Sequence, residues 1–183
     1  MDVLAQLDQL GPTLGKVVAG IQPDQLDHPT PCAHFTVRGV LEHMIGGATV
    51  FAAAFRGEEP PSSPPDDHSR DVLAEFGVTL TALAAAMHQQ GALERTIQAP
   101  FGEVPGTDFA RYVVLDGLVH GWDLCVATGQ AYAPSDALVA EADAYARETI
   151  DSLRDGQTFA AATEPPAGAT PIERLAAFSG RRV

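Results

Sequence analysis

The stretch 115-LDGLVHGWDL-124 sets a carboxylate, Asp116, and an imidazole, His120, four residues apart in an almost wholly apolar run. On a helix, residues i and i+4 stack on one face. Burying either group is costly unless it finds a partner. The neighbours Val113, Val114, Leu118, Val119, Leu124 and Val126 point in every direction around such a helix, so it is expected at the centre of the fold, with the pair buried. Phe109, Tyr112 and Val113 fall near the face of the pair. Asp123, three residues beyond His120, is placed to accept a hydrogen bond from that imidazole.

Working outward, apolar residues recur at helical spacing from Leu4 to Ile21, which predicts a first helix over 2–20, with a kink expected at Pro12. A turn-rich segment, 22-QPDQLDHPTPCAH-34, precedes a second helix capped by Thr36 and running to about Phe55. The segment 57-GEEPPSSPPDD-67 reads as a crossover. A third helix is expected from Ser69 to about Gln90, then, within 91–106, a short strand or hairpin at Thr96-Ile97-Gln98. Thr107 or Asp108 caps the central helix, which is closed by Gly129. A fifth helix is predicted from Ser135 to about Leu153, and a short one from near Pro171. Helices of this length with one long crossover describe an all-α bundle with an additional C-terminal helix and short irregular or β segments. At 183 residues the chain is expected to be one domain, 1–183.

A net charge of −13 repels phosphate backbones and argues against a nucleic-acid partner. No apolar run is long enough to span a bilayer. The opening MDVLAQLDQL carries acids where a signal peptide carries bases. The expected compartment is therefore the cytoplasm, where a disulfide between Cys32 and Cys125 is not expected.

A metal held in a bundle core needs ligands from facing helices. His43, in 40-VLEHMIGG-47, supplies the candidate, in a column with Gly39 and Gly47 that leaves room for its ring. Two histidines and a carboxylate with open positions suit zinc, nickel or iron(II). By spacing alone the Asp116–His120 pair also fits a buried structural hydrogen bond, and His43 alone fits a satisfied, partly buried histidine. Cys32, in a Pro-Thr-Pro-Cys turn, reads either as a ligand or nucleophile at the pocket mouth or as a small buried loop residue. His34 is a candidate fourth ligand or proton shuttle. Arg38 is read as a surface arginine, with contact to an anionic substrate as the alternative. Trp122 and Cys125 read as core, and His28, His68 and His88 as solvated.

Three stretches, 29-PTPCAHFTVRGVLEHMIGG-47, 115-LDGLVHGWDLCVATGQ-130 and 174-RLAAFSGR-181, together resemble the actinobacterial branch of the DinB-like metalloprotein superfamily. That branch is similar to the metal-binding N-terminal domain of mycothiol-dependent maleylpyruvate isomerase. The resemblance implies an up-down-down-up four-helix bundle and one divalent metal, zinc before nickel or iron, with His43, Asp116 and His120 as ligands. It also implies a small-molecule thiol of the mycothiol type, with Tyr112 beside it, and an electrophilic substrate. The chain departs from the pattern at His34-Phe35, where the branch carries glycine and tryptophan, and at Asp116, where the isomerase carries glutamate. Its length leaves no room for the isomerase's separate C-terminal domain, so maleylpyruvate isomerisation itself is not expected. The functional expectation is a metal-dependent thiol S-transferase or isomerase. The alternative is a non-catalytic bundle, metal-binding or metal-free, acting as a binding or oligomerisation module, including a homodimer.

Overall fold

The computed structural model describes residues 1–59, 61, 70–99, 102–154 and 158–183. The chain is mainly α-helical with a small two-stranded sheet. Helix α1 spans Val3–Ala19, capped by Asp2 and continuous through Pro12. Helix α2 spans Val37–Arg56; Thr36 Oγ1 accepts from the Gly39 amide at 3.2 Å, and Gly57, at φ 73°, closes it.

Helix α3 spans Val72–Met87 and is capped by Asp71, whose side chain accepts from the Ala74 amide at 3.1 Å. It is therefore shorter than the sequence predicts. Ser69, the expected cap, and His68 lie outside the described residues, as does most of the 57–67 crossover. At the other end the helix stops short of Gln90, because the chain turns through Gly91 at φ 78°.

The predicted strand is β1, Thr96–Ala99, which pairs antiparallel with β2, Gly102–Pro105. Strand β2 runs directly into α4, Gly106–Thr128, so neither Thr107 nor Asp108 caps it. Instead the Gly106 amide donates to the Arg95 carbonyl at 2.7 Å. A Cβ at position 106 would lie 2.9 Å from the carbonyl oxygens of Ala92 and Leu93, so glycine permits this junction. Helix α5, Asp136–Thr149, starts at its predicted cap, Ser135, but its last expected turn tightens into 3₁₀ geometry over Ile150–Leu153. Helix α6, Pro171–Phe178, opens with a Thr170–Glu173 capping box.

Helix α2 packs along α3, α1 lies against α3 and α4, and α2 meets α4. On its far side α4 receives α5 and α6. This double coverage explains why α4 is apolar all round: Leu115 and Leu124, on opposite faces of the helix, are both fully buried. Trp122 and Cys125 are buried in the core, as their sequence context predicts. Among the described residues no helix is long and apolar enough to cross a membrane.

Candidate metal centre

Asp116 and His120 share one face of α4, and α2 brings His43 against it. Asp116 Oδ1 lies 3.5 Å from His120 Nε2 and 3.7 Å from His43 Nε2. These separations are long for hydrogen bonds. They match ligands on one ion, since donors about 2.1 Å from a tetrahedral zinc stand about 3.4 Å from each other. All three donor atoms lie within 4.8 Å of one another, so the group could hold a metal ion. The His120 side chain is 6% exposed and that of Asp116 22%, whereas His43 is 41% exposed and opens the centre to solvent.

Behind His120 the polar chain continues inward. His120 Nδ1 lies 3.0 Å from Asp123 Oδ2, an arrangement in which the ring donates from Nδ1 and presents the Nε2 lone pair to the centre. Asp123 is fully buried, and its charge is met by Arg181, whose Nη2 donates to Oδ2 at 3.1 Å and Nε to Oδ1 at 3.4 Å. Arg181 also donates to the Ser179 carbonyl, while its own carbonyl accepts from Thr163 Oγ1. Burial works against its charge, but the Asp123 carboxylate more than offsets that, so the guanidinium stays protonated.

The loop before α2 forms the outer wall. Thr30 Oγ1 donates to the Phe35 carbonyl at 2.7 Å, and the Phe35 amide to the Cys32 carbonyl at 2.9 Å. So held, the Phe35 ring stacks on His43 with centroids 5.4 Å apart. His34, by contrast, points to solvent and belongs to neither group of candidate metal ligands, so the structure does not bring it to the centre. Cys32 does approach: its sulfur, His120 and Asp123 form a second cluster within 4.8 Å. Asp123 is already paired with Arg181 there.

The electrostatics follow from these contacts. Burial pushes the Asp116 carboxyl upward, but the facing imidazoles of His120 and His43, with Arg181 behind, more than offset it and hold the group at about 2. The Asp116 carboxylate raises the His43 pKa above 6.5 against the opposing effect of burial. The Cys32 thiol is raised above its usual value, chiefly by burial and only partly countered by Arg181, so it is not a ready thiolate.

Of the remaining residues, Tyr112 stacks flat on Phe109 at 6.1 Å and lines the cavity beside Asp116. Arg38 pairs with Glu42 at 3.8 Å and donates to the Arg70 carbonyl. His28 and His88 are exposed, each with a surface partner, Ala127 and Asp8. Sequence reasoning did not assign a role to Arg181 or give Phe35 its place over His43. Arg181 closes the 174-RLAAFSGR-181 motif, but nothing in the motif says which acid it meets.

The chain is thus a mainly helical protein with two histidines and a carboxylate converging beside a cavity. It belongs to the family of the mycothiol maleylpyruvate isomerase N-terminal domain, whose description matches residues 7–125. Two curated relatives are uncharacterized proteins of Mycobacterium tuberculosis, from strains CDC 1551 / Oshkosh and ATCC 25618 / H37Rv. Each is 34% identical over 190 residues, covering 100% of this chain and of the relative. No solved structure matches the chain.

Proposed function

We propose that the chain is a metal-dependent thiol S-transferase or isomerase that uses a small thiol of the mycothiol type and an electrophilic substrate. His43 and His120, through Nε2, and Asp116 would hold one divalent ion, zinc before nickel or iron(II). The observation that carries this reading is the ligand-like spacing of the three donors, with His120 oriented from behind by Asp123. Membership of a mycothiol-related family supports the thiol. We read residues 1–183 as one domain in which α1–α4 make an up-down-down-up bundle, working in the cytoplasm.

Held by His43, Asp116 and His120, a divalent ion such as zinc would supply Lewis acidity, which favours the thiolate form of a small thiol near neutral pH. The protein's own groups prepare for that. Asp123 fixes the His120 tautomer, Asp116 contributes negative charge, and Phe35 holds the exposed His43 ring and shields one of its faces. With three protein ligands the centre would keep room for the thiol, and Tyr112 would lie beside it.

The test is metal analysis of protein purified without an affinity tag, beside the His43→Ala variant, followed by titration of the cobalt form with mycothiol. Stoichiometric metal that His43→Ala loses, and a sulfur-to-cobalt charge-transfer band absent from His120→Ala, are expected. Metal binding with no response to any thiol leaves a non-catalytic metal protein. No metal at all leaves a metal-free binding or oligomerisation module.

A further inference from the structure

We propose that the electrophilic partner of this centre carries an uncharged, apolar tail, alkyl or aryl, which lies in the cavity enclosed by α1, α2, α3 and α4. This deepens the reading of the metal centre and rests on it. The cavity opens to solvent at its mouth, and both His43 and Asp116 line it. The rest of its wall is chiefly carbon: Leu7 and Leu10 from α1, Met44 and Phe51 from α2, Phe76 and Leu80 from α3.

Among the described lining residues none is lysine or arginine, and the ionisable groups besides the Tyr112 phenol are the two that face the metal position. Away from the metal position, an anionic tail would lose its hydration and meet no lysine or arginine among the described lining residues. Arg181, whose charge acts on both His43 and Asp116, is committed to Asp123 and does not line the cavity. A sugar fares little better, since Thr79 and Tyr112 supply the only hydroxyls among the described lining residues. The polar body of a thiol cofactor therefore stays outside, and the cavity is left to an apolar group.

Helix α3 strengthens this assignment. It provides no ligand to the centre, yet Phe76, Leu80, Leu83 and Ala84 all line the cavity. Met44 adds a polarisable, unbranched side chain that adapts to tails of different shape. Gly11 contributes open space: beyond its own helix backbone and chain neighbours, no atom lies within 4 Å of where its Cβ would be.

The test uses the full-length, zinc-loaded protein and calorimetric titration with n-alkyl hydroxamates, which anchor on the metal, from acetohydroxamate to octanohydroxamate. Affinity should rise about fourfold per added methylene until the cavity is filled. A terminal carboxylate on the octyl chain should erase most of that gain. A second arm uses the metal-free protein and the neutral fluorophore N-phenyl-1-naphthylamine, which should bind saturably at one site and be excluded by Ala84→Phe. Stoichiometric zinc with a flat hydroxamate series overturns the apolar tail while leaving the metal centre standing. If no zinc binds, the functional reading has failed, and the fluorophore alone decides the cavity. Binding blocked by Ala84→Phe then supports an apolar ligand, and no binding, or binding unchanged in that variant, overturns it.

Discussion

Arg181 reaches back across 58 residues of sequence to meet Asp123, and the carboxylate oxygen it holds at 3.1 Å is the one that stands 3.0 Å from His120. The C-terminal segment beyond α6 thereby fixes an imidazole at the centre of the fold. Truncation to Arg181→Met leaves a fully buried carboxylate without its cation and should destabilise the protein by about 3–5 kcal/mol in denaturant unfolding. Because His120 loses its support, metal affinity measured by chelator competition should also fall about 10–100-fold. Arg181→Lys keeps the charge without the fork and should fall between the two.

A metal that binds only the folded chain stabilises it by about 2.7 kcal/mol at a hundredfold excess over Kd. For a chain of this length that corresponds to about 5–10 °C in Tm. Calorimetric scans with and without a chelator should show this shift. Asp116→Asn should shrink it while the protein still unfolds cooperatively.

Proton linkage should run in opposite directions with and without metal. In the metal-free protein the raised pKa of His43 means that its pairing with Asp116 contributes stability fully below pH 6.5 and loses it as pH rises through the folded pKa. Asp116 itself, held at about 2, contributes above its ordinary value of 3.8 and loses that contribution only as pH falls toward 2. A metal requires neutral His43, so zinc affinity should instead rise with pH through the same window. Unfolding curves from pH 5.5 to 8.5, with and without zinc, should therefore slope oppositely, and His43→Ala should flatten both.

Tyr132 carries the one buried side-chain polar atom among the described residues that lacks a hydrogen-bond partner. Its hydroxyl sits against α4, 2.5 Å from where a Cβ on Gly121 would lie. Removing it as Tyr132→Phe relieves an unmet desolvation cost and should raise stability by about 1–2 kcal/mol in urea. Gly121→Ala should do the reverse, costing about 1–3 kcal/mol by overpacking against Tyr132 and Leu14.

His34→Ala should leave zinc affinity unchanged within a factor of about two, because the imidazole is exposed and outside the candidate ligand groups. Phe35→Ala removes the ring stacked on His43 and should weaken zinc binding measurably. Parallel chelator competition on the two variants checks this, and a larger loss from His34→Ala would return that residue to the site.

Much of this was legible in the chain itself. Helical spacing of apolar residues marks α1, an apolar run marks α4, and side-chain caps at Thr36 and Ser135 fix the starts of α2 and α5, because local hydrogen bonds and helical spacing involve only near neighbours. The four-residue step from Asp116 to His120 puts both on one face of α4 by helix geometry alone, and the three-residue step to Asp123 does the same for its hydrogen bond. The start of α4 was not legible, because its first amide is satisfied by Arg95, a backbone partner that sequence does not reveal.

What the sequence determined by itself was therefore the set of helices, the central place of α4 and the chemistry available on one of its faces. What only the tertiary structure decided was which distant groups arrive there. His43 comes within 3.7 Å of Asp116 because α2 packs on α4, and Arg181 reaches Asp123 because the chain folds back after α6. Phe35 rather than its neighbour His34 covers His43 because the loop's hydrogen bonds turn one side chain inward and the other to solvent. Period and propensity are properties of adjacent residues, whereas a ligand sphere is a property of positions, and those are set by packing the whole chain at once.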